Sequence, residues 1–325
     1  MPIAMRIHRT GGPEVFQADD VAVGAPGPGQ VRLRHGACGV NFLDAYLRSG
    51  QYPLRQPLPC ILGGDGAGTV MELGPGIRDL KLGDRVVYSG QQGSYCEERL
   101  VRADGLVRIP DGMSETEAAA IFNKGMTAEY LLRRAYPVKP GDTILVHAAA
   151  GAVGTVLCQW GKHLGATVIG TVSTEVKARA ARENGCDHTI LYTREDFAAR
   201  AREITGGVGV AVVYDSVGKD TMMRSMDALR PRGYLVCFGE ASGRAPAVDP
   251  HDLMNKGSLF LTRASLLHYA TTGEEVRTAA AALFDAIARG GIKIRLNRTY
   301  KLADVAEAHR DLEARRTVGS SVLLP

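Results

Sequence analysis

Hydrophobic and polar positions follow two different periods along the chain. Up to about residue 111, apolar residues come in short runs, such as the alternating Val31 to His35, and glycine and proline separate these runs. Alternation with a period of two between turn residues is typical of β-strands. This half of the chain therefore predicts a mostly β domain.

The pattern changes at Ser114. Ser114 to Phe122 begins Ser-Glu-Thr-Glu and continues rich in alanine, which predicts a capped helix, and a second helix is predicted from Gly125 to Tyr136. Continuous apolar runs then alternate with helical segments. The predicted strands start at Thr143, Thr167, His188, Val210, Gly233 and Ser258. This alternation predicts a doubly wound parallel sheet, followed by an Ala-rich helix (Glu274 to Arg289) and a β-like tail that returns to the first domain.

Composition excludes several other classes of protein. The 325 residues suffice for two domains, and 45% hydrophobic with 23% charged residues is ordinary for a globular protein. The net charge is +4 with dispersed Lys and Arg, so no nucleic-acid tail or polybasic membrane patch is indicated. No apolar run approaches the roughly 18 residues of a membrane span, and the N-terminus lacks a signal-peptide pattern, so a cytoplasmic location is expected. The six cysteines form no CxxC pair and are interpreted as reduced thiols.

A turn of small residues follows the first predicted strand of the parallel sheet. The segment His147-Ala-Ala-Ala-Gly151-Ala-Val-Gly154 stands between this strand and a helix, and from Ala149 it is a GxGxxG variant with alanine in the first position. Small residues let backbone N–H groups approach a pyrophosphate, and the helix N-terminus adds its dipole. The strand–turn–helix context favours a dinucleotide site over an ordinary glycine turn.

The end of the second predicted strand distinguishes the two nicotinamide cofactors. NAD-preferring folds place an acid there for the ribose hydroxyls, whereas this chain has Ser173, with Lys177 a turn later. A hydroxyl and a cation suit a 2′-phosphate, and Tyr192 at the end of the third strand supplies a phenol. We assume that Glu175 points away, and the alternative for Lys177 is a solvated helix lysine. The pattern predicts NADPH.

Motifs over essentially the whole length resemble one known family. They are Gly39-Val-Asn41-Phe-Leu-Asp44-Ala-Tyr46, Gly50-Gln-Tyr52-Pro53, Gly83-Asp84-Arg85-Val86, Lys124-Gly-Met-Thr127-Ala-Glu-Tyr130, His147 to Gly154, Tyr214-Asp-Ser-Val-Gly218, Gly257-Ser-Leu with Thr262-Arg263, and Gly319-Ser-Ser. With these motifs the chain resembles the quinone oxidoreductase, or zeta-crystallin, branch of the medium-chain dehydrogenases/reductases.

The resemblance implies an α/β fold of two domains. A GroES-like, mostly β catalytic domain (1–124 and 266–325) would be interrupted by a doubly wound Rossmann domain that binds NADPH (125–265). The resemblance also implies an active site in the cleft between the domains, and a homodimer or homotetramer built through the Rossmann domains. The expected activity is the reduction of a quinone by hydride transfer from NADPH.

Zinc is tested at the positions where related alcohol dehydrogenases bind it. By resemblance, the family's cysteine ligand corresponds to Asn41 and its histidine ligand to Gly64, and the structural zinc lobe needs four cysteines where Val86 to Val101 contains only Cys96. No metal is therefore predicted. Without a Lewis acid, the acceptor must take hydride readily, as a quinone or an activated enone does.

Negative charge that develops on the acceptor oxygen requires a hydrogen-bond donor. The candidate catalytic residues are Asn41, Tyr46 and Tyr52; by resemblance, Asn41 and Tyr46 also lie near the nicotinamide and its ribose. The alternative for each tyrosine is a half-buried core phenol. Further cofactor contacts that the resemblance implies are Thr127, Tyr130, Ala152, Val153, Ser216, Phe238, Gly239, Ser265, Leu266 and Arg315. His147 and Asp215, at strand ends, are interpreted as structural anchors.

Two other functions stay open. A zinc-free reductase of the same fold that acts on alkenals or enoyl thioesters would share the cofactor but reduce a carbon–carbon double bond. A non-catalytic protein that binds NADPH and AU-rich RNA, or a structural lens-type protein, would hold NADPH without consuming it. The chain has no Arg-rich or aromatic-rich motif of the recognised RNA-binding kinds.

Overall fold

A computed structural model describes all residues from Met1 to Pro325, and the chain divides into two units. The first unit comprises Met1–Asn123, Ala270–Ala281 and Ile294–Pro325. The second comprises Lys124–Tyr269 and Ala282–Lys293. None of the helices combines the length and the apolar character that crossing a bilayer requires.

The first unit is built on two β-sheets. Its strands are β1 (Ile3–Ile7), β2 (Phe16–Asp20), β3 (Gln30–Gly39), β4 (Cys60–Ile61), β5 (Asp65–Leu73), β6 (Arg85–Ser89), β7 (Glu98–Arg102), β8 (Val107–Arg108), β15 (Leu296–Lys301) and β16 (Ser320–Leu324). The smaller sheet has the order β2-β1-β4, and the larger has the order β15-β16-β3-β5-β6-β8, with β7 also paired to β3. Strand β16 pairs antiparallel with β3, Leu323 opposite Cys38, so the C-terminal strand returns to the N-terminal sheet as predicted.

Two helices that the sequence pattern did not predict complete the first unit: α1 (Phe42–Ser49) and α9 (Val305–Glu313). Both contribute apolar side chains to one core. That core contains Leu47 from α1 and Val305 from α9, packed with residues of β1 and β16. Helix α1 also buries the polar residues Asp44 and Arg48.

The second unit is a parallel sheet with helices between its strands. Its strands are β9 (Thr143–Val146), β10 (Thr167–Val172), β11 (His188–Leu191), β12 (Val210–Asp215), β13 (Leu229–Cys237) and β14 (Phe260–Arg263). Its helices are α3 (Ala152–His163), α4 (Glu175–Glu183), α5 (Phe197–Ile204), α6 (Met222–Ser225) and α7 (Pro250–Asn255). The sheet order is β11-β10-β9-β12-β13-β14, or 3-2-1-4-5-6 by order in the chain, which is the doubly wound order of dinucleotide-binding folds.

The predicted break between two helices near Gly125 is wrong. One helix, α2 (Glu115–Tyr130), runs through this residue and ends in a π-helical turn, Leu131–Ala135. A Cβ at Gly125 would lie 2.4 Å from Cδ1 of Leu283, a residue of the remaining helix α8 (Gly273–Ala288). The glycine therefore provides close packing of two helices rather than a turn.

Candidate functional site

Most of the predicted cofactor residues lie at one edge of the parallel sheet. Ser173 follows β10, Tyr192 follows β11, Ser216 follows β12, and Phe238 with Gly239 follows β13. All these strands run parallel, so their carboxyl ends meet at the same edge. In such sheets ligands bind outside these ends, where the strand order reverses on either side of the first strand, here β9.

The start of α3 has the chemistry of an anion site. Helices α4, α5 and α7 begin with side-chain caps from Thr174, Asp196 and Asp249, whereas Gly151 at the start of α3 provides no side-chain cap. The backbone N–H groups of Ala152 and Val153 belong to the first turn, which has no intrahelical acceptors. The residues present therefore fit a pyrophosphate, which would accept from these groups and complement the helix dipole.

Gly154 lets the loop after β9 lie against the first turn of α3. A Cβ at this position would stand 2.2 Å from the carbonyl oxygen of Ala148 and 2.9 Å from Cα of Ala149. Both are backbone atoms, which cannot give way as a flexible side chain can. Ala148 itself has a positive φ of 51°, which is uncommon for a residue with a side chain. The small residues of the motif are therefore needed for the shape of this loop.

Ser173 and Lys177 stand at the end of β10 and in the first turns of α4. Thr174 caps α4 and accepts a hydrogen bond from the backbone N–H of Lys177 at 3.3 Å, and Thr193 Oγ1 donates to the carbonyl of Ser173 at 3.2 Å. Glu175, the acid between Ser173 and Lys177, is exposed, and its carboxylate lies 4.0 Å from the guanidinium of Arg194. Sequence analysis did not name Arg194, which brings a second cation to this end of the sheet.

His147 and Asp215 form a buried polar network that holds the strand ends. His147 Nδ1 lies 2.8 Å from Thr171 Oγ1, and its Nε2 lies 2.9 Å from Ser225 Oγ. Burial lowers the pKa of His147, against the attraction of the Asp215 carboxylate. Asp215 Oδ1 accepts from the backbone N–H groups of Val217 and Gly218, at 2.8 and 3.0 Å. The network fixes the turn after β12 that carries Ser216, as the structural interpretation of these two residues expected.

The remaining predicted cofactor residues lie in three different parts of the chain. Thr127 and Tyr130 lie on α2; Tyr130 is buried and stacks on Tyr269 with ring centroids 4.6 Å apart. Ser265 and Leu266 stand at the start of a 3-10 turn after β14. Arg315 is exposed, has a φ of 56°, and belongs to the first unit, after α9.

Asn41, Tyr46 and Tyr52 come together in the first unit. Asn41 precedes α1, and its side-chain amide donates to Asp65 Oδ1. The rings of Tyr46 and Tyr52 lie 5.2 Å apart, and the backbone N–H of Tyr52 donates to the carbonyl of Tyr46 at 3.1 Å. All three side chains are partly exposed, so they are accessible to a ligand.

Two carboxylates next to Asn41 were missed by sequence analysis as site residues. Asp44 Oδ2 accepts from the backbone N–H of Asn41 at 2.9 Å, and Asp65 binds its side chain. The spacing of Asn41 and Asp44 is that of a capping box, and this signal was available in the sequence. The structure contains no group of three or more His, Cys, Asp or Glu side chains arranged to hold a metal ion.

Comparison with known proteins agrees with this architecture. Residues 27–140 match the family described as alcohol dehydrogenase GroES-like domain, and residues 152–285 match the one described as zinc-binding dehydrogenase. The chain thus combines the two domains of a medium-chain dehydrogenase/reductase.

Individual proteins that are similar to this chain identify the family within that superfamily. The chain is 49% identical to a quinone oxidoreductase of Pseudomonas aeruginosa, over 97% of both chains. It is 48% identical to a 2-haloacrylate reductase of a Burkholderia species, over 100% of this chain and 99% of that protein. The crystal structure of Escherichia coli quinone oxidoreductase complexed with NADPH superimposes with a TM-score of 0.97 at 45% identity, over 99% of this chain and 100% of that one. The chain belongs to the quinone oxidoreductase family of this superfamily.

Proposed function

We propose that this protein reduces quinones with NADPH as the hydride donor and without zinc. The observation that carries the proposal is similarity over the full length to quinone oxidoreductases, one of them solved with NADPH. The uncapped start of α3 supports a dinucleotide cofactor, and the absence of an acid at the position of Ser173 supports NADPH over NADH. The balanced reaction consumes NADPH, one proton and a quinone, and yields NADP⁺ and a hydroquinone.

Each part of the parallel-sheet edge has a proposed role in holding the cofactor. The N–H groups of Ala152 and Val153 bind the pyrophosphate. Ser173, Lys177 and Tyr192 bind the 2′-phosphate, where a cation and hydroxyl donors are favoured. Further contacts come from Thr127, Tyr130, Ser216, Phe238, Gly239, Ser265, Leu266 and Arg315. When bound, the nicotinamide supplies the hydride.

The proposed acceptor side is the cluster of Asn41, Tyr46 and Tyr52. An amide nitrogen carries two hydrogens, so donation to Asp65 leaves Asn41 one hydrogen for an acceptor oxygen. The rings of Tyr46 and Tyr52 are tilted by 46° to each other and provide an aromatic surface against which a quinone ring can pack. Asn41 and Tyr46 also contact the nicotinamide ribose and ring in this proposal.

The finer properties of the protein are proposals too. Zinc independence is supported by Asn41 and Gly64, which by resemblance correspond to the positions of the cysteine and histidine ligands in related alcohol dehydrogenases. We propose the catalytic domain as residues 1–124 and 266–325 and the NADPH domain as residues 125–265. We further propose a cytoplasmic homodimer or homotetramer that assembles through the NADPH domains.

A second candidate function is reduction of an activated carbon–carbon double bond. The observation that favours it is the relative named 2-haloacrylate reductase, which is as similar to this chain as the quinone oxidoreductases are. Such a reaction uses the same cofactor and hydride, and differs only in the acceptor.

The experiment is a panel of acceptors with the purified full-length protein. Loss of NADPH absorbance is followed with a benzoquinone, a naphthoquinone, a 2-haloacrylate, an alkenal and an enoyl thioester, with NADH as the matched control. Turnover of the quinones that is faster with NADPH than with NADH supports the proposal. Turnover of an alkene acceptor alone moves the function to double-bond reduction, and NADPH binding without any turnover refutes both.

A further inference from the structure

A chain of buried hydrogen bonds crosses the first unit and ends beside Asn41. It begins at Arg48, whose Nη1 lies 3.0 Å from His309 Nδ1. His309 Nε2 lies 3.2 Å from the hydroxyl of Tyr95, and this hydroxyl donates to Asp44 Oδ2 at 2.9 Å. The Arg48 residue is 2% exposed, and the other three are less exposed still.

The chemistry of the two ends fixes the direction of every bond in this chain. A guanidinium is only a donor, so His309 Nδ1 must accept from Arg48 and carries no proton. Neutral His309 then has its proton on Nε2 and donates it to the oxygen of Tyr95. Tyr95 in turn donates to Asp44. Burial, and next the neighbouring Arg48, lower the pKa of His309 to about 3, in agreement with a neutral ring.

The Arg48 end of the chain is anchored independently. Its guanidinium also binds Glu313 through two bonds, at 2.7 and 3.1 Å, and the carbonyl of Gly11 at 3.1 Å. These bonds join α1, α9 and the loop after β1. Arg48 is thus held in place from three sides and serves as a fixed end for the chain.

The Asp44 end controls the position of Asn41. The same Oδ2 atom that accepts from Tyr95 also accepts from the backbone N–H of Asn41 at 2.9 Å. Movement of this carboxylate would therefore move the start of α1 and the residue that precedes it. The side chain of Asn41 is held separately by Asp65.

We propose that Tyr95 and His309 are positioning residues, which hold Asp44 and thereby keep Asn41 in the geometry from which it donates to the acceptor oxygen. The inference rests on the proposed function, in which Asn41 donates to the acceptor oxygen. Hydride transfer depends steeply on geometry, and a displacement of about 1 Å costs up to about a hundredfold in rate. Removal of the Tyr95 hydroxyl takes away two bonds, one to Asp44 and one from His309, but the packed surroundings limit the displacement of Asn41, so we expect a decrease of about tenfold.

The test compares Tyr95→Phe with Tyr300→Phe. Tyr300 is also buried in the first unit, and its hydroxyl also donates to a carboxylate, Asp311 Oδ2, at 2.8 Å. Each variant loses a phenol–carboxylate bond, and Tyr95→Phe also loses the bond from His309. Only Tyr95 is connected to Asn41 through Asp44. In a stopped-flow single turnover with NADPH and a benzoquinone, the rate constant reports geometry and the amplitude reports the fraction of folded enzyme.

The expected result is a rate constant about tenfold lower in Tyr95→Phe at unchanged amplitude, with both values unchanged in Tyr300→Phe. A Tyr95→Phe variant that keeps the wild-type rate constant, or loses amplitude alone, overturns the inference. An equal decrease of the rate constant in both variants overturns it as well.

Amide hydrogen exchange separates failure of this inference from failure of the proposed function. Without any acceptor, peptides that cover the start of α1 should exchange faster in Tyr95→Phe than in the wild type or in Tyr300→Phe. Unchanged exchange there refutes the positional link even if the enzyme reduces quinones. If the wild type reduces no acceptor, the proposed function fails, and faster exchange at α1 still supports the link between Tyr95 and Asn41.

Discussion

His309 makes the stability of the first unit depend on pH in a way that can be calculated. The ring is buried and accepts a hydrogen bond from Arg48, so its pKa is lowered from 6.5 to about 3. Below pH 6.5 His309 binds a proton in the unfolded chain but stays neutral in the folded protein. The free energy of unfolding therefore falls as the pH falls from 6.5 toward 3, and above pH 6.5 this residue makes no contribution to the pH dependence.

The magnitude follows from the size of the pKa difference. A pH of about 5 lies roughly 1.5 units below the pKa of the histidine in the unfolded chain, whereas the histidine in the folded protein is still neutral. Each pH unit corresponds to about 1.4 kcal/mol of unfolding free energy. His309 therefore costs about 2 kcal/mol of stability between pH 8 and pH 5. Glutamine at this position keeps a donor and an acceptor but has no proton to take up.

Urea unfolding at the two pH values, followed by circular dichroism, measures this difference. The loss of unfolding free energy between pH 8 and pH 5 should be about 2 kcal/mol smaller in His309→Gln than in the wild type. His268→Gln, at an exposed position in the second unit, is the control for the loss of one histidine. The reasoning is refuted if His309→Gln shows the same pH dependence as the wild type, whatever its stability at pH 8.

Two further predictions concern the cofactor and the metal. Lys177→Ala should raise the Michaelis constant for NADPH about 5- to 30-fold, since a charge-assisted bond to phosphate is lost, and leave that for NADH nearly unchanged; steady-state kinetics with both cofactors measures this, and an equal loss for both would contradict the assignment. Prolonged dialysis against a strong chelator should leave quinone reduction intact, and activity that disappears and returns with added zinc would overturn the zinc-free proposal.

The central strands β9, β10 and β12 of the second unit were predictable because they are continuous, almost wholly buried apolar runs. Strand β10 was predicted with its observed bounds, Thr167–Val172, and β9 was predicted one residue too long, at its polar end. A strand buried on both faces needs no contact with distant residues to be recognised. The break expected at Gly125 was wrong for the opposite reason, since the glycine is required by Leu283, far away in the chain.

Helix α1 was missed because its burial depends on distant partners. Its charged residues Asp44 and Arg48 are of a type that is usually exposed to solvent, yet both are buried in this helix. His309, which accepts a hydrogen bond from the buried guanidinium of Arg48, is 261 residues away in the chain. The capping-box spacing of Asn41 and Asp44 marks where the helix begins, but no local period contains the hydrogen-bonded chain beside Asn41, which could not be predicted from spacing.

The two candidate sites thus differ in how the sequence encodes them. The proposed pyrophosphate site depends on neighbouring residues only: β9, a loop that requires Gly154, and the first turn of α3. Part of the sequence signal for this site is the lack of a side-chain cap on α3. Its N-cap residue is Gly151, whereas α4, α5 and α7 are capped by Thr or Asp side chains. A bound phosphate would take the place of that cap and satisfy the same N–H groups. At this helix start a bound ligand would supply the stabilisation that a side chain gives at α4, α5 and α7, whereas at α1 a network of side chains keeps Asn41 in place.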